Sequence, residues 1–258
     1  MSIEICWNIT ARCNQACKYC HRFLNLNDLT KEENFKVLDN LINSGVDNIT
    51  FTGGEALLIN YLDELIEKSH KNNIKTKLIT NGKLLNEEIF NKITNSLDFV
   101  NLSIDSLNDE TNILLGRGST HKNTIIERIK MISNSNTNLS INSVATKINK
   151  EDLIELGDFL KNNNVSEWRI FKFMPLRETA IKNQNMFDIS QNEYDKLISE
   201  IKNNSKLNIV TRQIDDFEKL YLLILANGDI FITNNGKDIK IGNALVDNIS
   251  DIIKQYKK

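Results

Sequence analysis

Cys13-Asn14-Gln15-Ala16-Cys17-Lys18-Tyr19-Cys20 places three thiols within eight residues, directly after a β-prone run at residues 3–9. Thiolates are the usual ligands of iron–sulfur clusters, which ordinarily take four protein ligands, whereas this run offers three. One iron then stays open to an exogenous ligand that chelates it and takes an electron from the cluster. The competing reading is a structural zinc site completed by Cys6 or His21. His21 adjoins Cys20, a strained spacing for two ligands of one tetrahedral ion, and Cys6 would have to leave its strand. In a reducing compartment such closely spaced cysteines point to metal or cluster ligation before disulfides.

Outward from this run, short β-branched or aromatic stretches alternate with longer ones of helical period, the pattern of βα units on a parallel sheet. Strands are predicted at residues 3–9, 48–52, 76–80, 99–104, 139–144 and 167–173, and helices at 31–44, 61–72, 86–96, 124–134, 151–163 and 192–205. Six units are fewer than the eight of a closed barrel. The fold expected is therefore α/β, a partial (β/α)6 TIM-like barrel over residues 1–190. Residues 191–258 form a short C-terminal helix and hairpin extension packed on it, within one domain overall. Asn86 and Asn192 are expected to cap helices, and Gly45 to follow one. Residues 175–190 read as a loop, and 222–225 with 230–233 as a hairpin about Asn227-Gly228.

The 258 residues carry 32 basic and 34 acidic side chains, a formal charge of −2. Such a balance provides no global field for direct nucleic-acid binding or an anionic membrane. No apolar run approaches the roughly 20 residues of a spanning helix, and the N-terminus lacks a signal-peptide pattern. A cytoplasmic protein is expected.

Further candidates sit where strands end. Gly53-Gly54-Glu55 follows the second strand: two glycines let a ligand approach the backbone, and the carboxylate accepts from an ammonium group. In the fourth strand Asn101, Ser103 and Asp105 alternate with apolar residues and share one face. Thr80-Asn81-Gly82 and the pair Ser140 and Asn142 repeat that pattern more weakly. Gly116-Arg117-Gly118 offers a guanidinium that can clamp a carboxylate or phosphate, or can be a plain surface loop. Trp168 and Phe171 read as core, whereas Arg169 and Lys172 face either a cavity or solvent.

Together these residues resemble the radical S-adenosylmethionine (SAM) superfamily, whose cluster motif CxxxCxΦC carries an aromatic residue at Φ, here Tyr19. The resemblance implies a [4Fe–4S] cluster on Cys13, Cys17 and Cys20 that cleaves SAM reductively. It places Gly53, Gly54 and Glu55 at the SAM amino group and Ser103 with Asp105 on the ribose motif. Tyr19, Thr80, Asn81, Arg117 and Asn142 join them on the cofactor side.

Within the superfamily, Ser103-Ile-Asp-Ser-Leu-Asn-Asp-Glu-Thr-Asn-Ile-Leu-Leu-Gly-Arg-Gly118, Ile141-Asn-Ser-Val144 and Trp168-Arg-Ile-Phe171 look like the viperin family of nucleotide dehydratases. That family implies dehydration of a nucleoside triphosphate at its 3′ and 4′ carbons, with Arg169 and Lys172 as substrate contacts and a flavodoxin or ferredoxin as reductant. Ser140 stands where viperin has a lysine, Arg169 replaces another viperin lysine, and the basic and tyrosyl residues near viperin's C-terminus have no evident match around residues 229–235. The GTP cyclase of molybdenum-cofactor biosynthesis shares the TGGE motif but carries a second cluster on C-terminal cysteines, and no cysteine follows Cys20 here. Radical SAM chemistry on a peptide or small metabolite is the alternative substrate reading, and a non-enzymatic zinc or cluster module is the alternative class.

Overall fold

The computed structural model describes residues 3–217, 222–234 and 237–256. Six strands, β1 (Glu4–Thr10), β2 (Asn48–Gly53), β3 (Lys75–Thr80), β4 (Phe99–Ser103), β5 (Asn138–Ala145) and β6 (Glu167–Lys172), pair in chain order and all in parallel. Between them run α1 (Lys31–Asn43), α2 (Leu62–Lys71), α3 (Glu87–Ile93), α4 (Asp109–Leu115), α5 (His121–Ser133) and α6 (Lys150–Leu160). The expected six units are present, within a residue or two at most strand ends. Helix α4 was not foreseen. It spans seven residues, too few to show a period, and it depends on its ends: the Asn108 side chain accepts from the Glu110 and Thr111 amides, and Gly116 stops it at φ +85°.

Beyond β6 the expected loop at 175–190 contains two short helices, α7 (Glu178–Lys182) and α8 (Gln184–Phe187). Helix α9 (Gln191–Asn204) is capped by Ser190, which forms a capping box with Glu193, and not by Asn192. Then come β7 (Ile209–Arg212), β8 (Leu222–Ile224), β9 (Asp229–Asn234), β10 (Lys237–Asn243) and α10 (Ile249–Tyr256). The predicted hairpin is β8 with β9, but β7 and β10 are additions. Among the described residues ten strands form one sheet in the order β10-β9-β8-β1-β2-β3-β4-β5-β6-β7.

Alternation divides that sheet into two unlike faces. Ile5, Trp7 and Ile9, Ile49 and Phe51, Leu78, Val100 and Leu102, Ile141, and Trp168 and Ile170 point outward, and every one is fully buried beneath the helices. Against them lie Val37, Leu38 and Leu41 of α1, Leu65 and Ile66 of α2, Ile125, Ile129 and Ile132 of α5, and Leu153, Leu156 and Leu160 of α6. Each such side chain contributes roughly 1.5–3 kcal/mol by leaving water, so the wall between sheet and helices is the main source of stability.

The inner face is polar. The register aligns Asn8 with Thr52, Ile79 with Asn101, Asn101 with Ser140, and Asn142 with both Ser103 and Arg169. Across the C-terminal mouth of the curved sheet, Arg177, just beyond β6, forms an ion pair with Asp238 on β10 at 2.8 Å. The result is an open barrel around a polar lumen. Among the described residues no helix is long and apolar enough to cross a membrane.

Candidate active site

All three motif cysteines lie on the loop between β1 and α1, at the C-terminal ends of the strands. In α/β barrels that end carries the chemistry. The loop is held from two sides.

On the first side the backbone of the loop runs against β2. The amides of Gly54 and Glu55 donate to the carbonyls of Thr10 and Arg12 at 2.8 and 2.9 Å. A Cβ on Gly53, at φ +140°, would stand 2.4 Å from the Thr10 oxygen, and one on Gly54 would stand 2.1 Å from the Arg12 oxygen. The glycines are therefore required by the approach of the cysteine loop itself, whatever else comes near them.

Glu55 is 1% exposed. Its carboxylate accepts from the Thr80 hydroxyl at 2.7 Å, the Asn81 amide at 2.8 Å and the Leu57 amide at 3.1 Å. Burial raises its pKa above the ordinary carboxylate value, against the pull of those donors. Asn81 continues the chain of contacts, donating from Nδ2 to Asn14 Oδ1 at 2.7 Å and lying 3.9 Å from Cys13 Sγ. Thr80 and Asn81 thus serve Glu55 and the cysteine loop. Thr80 has its hydroxyl hydrogen committed, which removes it as a free donor to a ligand.

The second side is built on Asp105, which is fully buried. One carboxylate oxygen accepts from the Tyr19 hydroxyl and from Arg117 Nε at 2.7 Å, and the other accepts from the Val144 amide at 2.7 Å. Arg117 also donates to Gln15 Oε1 at 3.1 Å and stands 5.7 Å from the centre of the Tyr19 ring. Gln15 in turn lies 3.3 Å from His121 Nδ1, while His121 Nε2 lies 3.0 Å from the Ser103 carbonyl. A carbonyl only accepts, so the imidazole proton is on Nε2, and Nδ1 accepts from Gln15. Burial keeps that ring neutral, its pKa pushed down to about 3.

Asp105 is thus held by three donors while one of its oxygens keeps a lone pair free, and the Arg117 guanidinium is engaged in an internal ion pair. Gly116 completes this side: a Cβ there would stand 2.4 Å from the Ala16 oxygen.

Beneath the loop lies a small apolar cluster of Tyr19, Leu115, Phe173, Ala180 and Phe187, with Cys17 against it. Burial pushes the Cys17 thiol up, with Arg117 pulling it back, and does the same to Cys20. Among the described residues no three His, Cys, Asp or Glu side chains converge on a point that one metal ion would occupy. Three thiols on one loop are the donor set of a cluster with one iron left open. Cys6 lies within β1, its thiol pushed up to about 12 by burial, and so is a poor ligand to complete a zinc site.

The lumen holds the remaining candidates. Asn101 Nδ2 and Asn142 Oδ1 are buried without a hydrogen-bond partner among the described residues, a donor and an acceptor on adjacent strands. Buried polar atoms are nearly always partnered, so these two await something. Arg169 shares this face and pairs with Glu167, while Ser103 lies level with Asn142. Lys172 does not share it. Three residues beyond Arg169, it falls on the helix-facing side and donates to Gln191 Oε1 at the start of α9. Sequence reasoning missed Asn14, Gln15, His121 and Asn149, which donates to the Asp105 carbonyl at 2.8 Å. Asn14 and Gln15 were visible between the cysteines, but His121 and Asn149 carry no local signal.

Residues 7–160 match the family described as the Radical SAM superfamily. The chain belongs to that superfamily, enzymes that bind a [4Fe–4S] cluster and S-adenosylmethionine. It is similar to an S-adenosylmethionine-dependent nucleotide dehydratase of Flammeovirga pacifica, at 30% identity over 87% of this chain and 80% of the relative. A GTP 3′,8-cyclase of Helicobacter pylori is 29% identical over 81% of this chain and 73% of its own. In structure the chain resembles Streptococcus suis SuiB bound to S-adenosylmethionine, with TM-score 0.77 and 19% identity over 99% of this chain, and it spans 65% of SuiB. At that identity the likeness concerns the fold.

Proposed function

We propose that this enzyme is a SAM-dependent nucleotide dehydratase, converting a nucleoside triphosphate to its 3′-deoxy-3′,4′-didehydro form. The observation that carries the reading is the 30% identity to a nucleotide dehydratase across 87% of the chain. When bound, the cluster and SAM supply a 5′-deoxyadenosyl radical that takes the ribose 4′ hydrogen. Cys13, Cys17 and Cys20 would hold the cluster, with the Asn81 amide donating toward the first sulfur and Gln15 lying beside the second. The end of β2 at Gly53, Gly54 and Glu55 and the backbone beside Tyr19 border SAM. Asn101, Ser103 and Asn142 offer polar groups to SAM or substrate, and Arg169 meets the phosphates. A small one-electron carrier such as flavodoxin or ferredoxin serves as reductant.

The test is anaerobic reconstitution with iron and sulfide, then incubation with SAM, dithionite and single nucleoside triphosphates, followed by mass spectrometry. A nucleotide product lighter by one water is expected, with 5′-deoxyadenosine. If no nucleoside triphosphate raises 5′-deoxyadenosine formation, the nucleotide reading is wrong. A product of unchanged mass from GTP would instead indicate cyclisation.

A further inference from the structure

Arg177 follows β6 by five residues and plays no part in the site described above, yet its guanidinium joins three separate stretches of chain. Nε and Nη2 contact Asp238 Oδ2 on β10 at 3.0 and 2.8 Å. Nη1 donates to the carbonyl of His21 at 2.7 Å, the residue directly after Cys20. The guanidinium carbon stands 3.9 Å from the centre of the Phe23 ring, and Phe23 packs at 5.8 Å against Phe231 of β9. The side chains of Arg177 and Asp238 are 15% and 21% exposed. Thr233 donates to the second Asp238 oxygen at 3.2 Å, and the Asn183 side chain donates to the Lys18 carbonyl at 2.9 Å.

The segment after β6 and the edge strand β10 are therefore joined across the cysteine loop. A planar fork is needed for this. One donor pair faces the carboxylate, a third donor faces a carbonyl, and the flat face lies on an aromatic ring.

We propose that Arg177 is a positioning residue that locks the Cys20 end of the cysteine loop to the β9–β10 hairpin, sealing the thiol-bearing loop at the seam of the open barrel. The role matters because a site that generates radicals must exclude water and competing reactions. It rests on the proposed cluster function of the cysteines only for its second readout.

The first readout uses the full chain without cluster: native-state alkylation by iodoacetamide, with each cysteine followed by peptide mapping. In Arg177→Ala the labelling of Cys20 rises at least about tenfold, as losing one charge-assisted hydrogen bond implies, while labelling of Cys6 inside β1, whose thiol the Arg177 charge holds toward ionisation, does not rise. Arg177→Lys gives an intermediate rate, because an ammonium still faces Asp238 but cannot also span His21 and lie flat on Phe23. Unchanged Cys20 labelling, or Cys6 rising in step with it, overturns the proposal. Should Arg177→Ala fail to fold, Asp238→Asn weakens the same seam and is judged by the same ratio. The second readout, on reconstituted enzyme, is an increased ratio of 5′-deoxyadenosine to product. If wild type cleaves no SAM, the proposed function fails while the labelling still decides the role of Arg177.

Discussion

The two sides that hold the cysteine loop solve one problem with different chemistry. Each buries a carboxylate at the end of a strand, Glu55 after β2 and Asp105 after β4. Glu55 is surrounded by neutral donors alone, a hydroxyl and two backbone amides. Asp105 faces a guanidinium that is itself 7% exposed. A carboxylate held by neutral donors can lose or gain a proton without leaving a stranded partner. A buried ion pair cannot, and the difference determines how each side fails.

The largest effect is expected from Asp105→Asn, which strips the Arg117 charge of its counterion in a buried position. Breaking such a pair costs about 3–5 kcal/mol, to be read as a lowered urea midpoint of the cluster-free chain. The double variant Asp105→Asn/Arg117→Met should recover most of that loss, since removing both charges ends the desolvation problem. Glu55→Gln costs less, about 1–3 kcal/mol, by turning one acceptor into a donor that faces an amide. Equal losses in the two single variants would erase the distinction between the two sides.

Their pH responses run in opposite senses. His121, part of the Asp105 side, has its folded pKa lowered from 6.5 to about 3. The unfolded chain binds the proton first, so this contribution is fully present above pH 6.5 and is lost as pH falls from there toward 3. Glu55 has its folded pKa raised. Between its unfolded and folded values the native state holds the extra proton, so its contribution is greatest in acid and declines as pH rises through that window. His21, lowered to about 4, adds a slope of the same sign as His121. Stability measured from pH 4 to 7.5 should therefore change less with pH in His121→Gln than in wild type. Glu55→Gln should instead steepen the wild-type rise, because the opposing term is gone. Identical profiles in all three proteins would show that neither group is shifted.

Much of this was legible in the sequence, and the limits have physical causes. The six βα units could be read because their outward residues alternate or recur at helical spacing under a strong burial requirement. Strand β7 could not, being four residues of intermediate exposure, nor could α4, which depends on Asn108 and Gly116 at its ends. Glu55 and Asp105 follow strand ends and Arg117 lies on the link between α4 and α5, but spacing reports residue type and position and not which neighbour holds each side chain in the folded protein. Likewise spacing showed Gly53 and Gly54 as an opening for a ligand but not that the carbonyls of Thr10 and Arg12 also forbid a side chain there. Alternation also separates Arg169 from Lys172, since residues three apart on a strand point to opposite faces.

The smallest effect sharpens the contrast between a buried ion pair and a partly open one. Arg169 and Glu167 pair on the lumen side of β6, with side chains 27% and 23% exposed, so water screens the pair as it does not screen Asp105 and Arg117. Glu167 competes with any phosphate for the same guanidinium. Glu167→Gln should leave the urea midpoint nearly unchanged and lower the KM for a nucleoside triphosphate about two- to fivefold, the equivalent of the roughly 0.5–1 kcal/mol of a half-screened pair. Because a phosphate remote from the reacting carbons binds equally in ground and transition states, kcat should stay constant. An unchanged KM would place the phosphates elsewhere in the barrel. A fall in kcat would mean instead that Glu167 holds Arg169 at the height where it meets Asn142, making the pair part of the geometry at the reacting ribose.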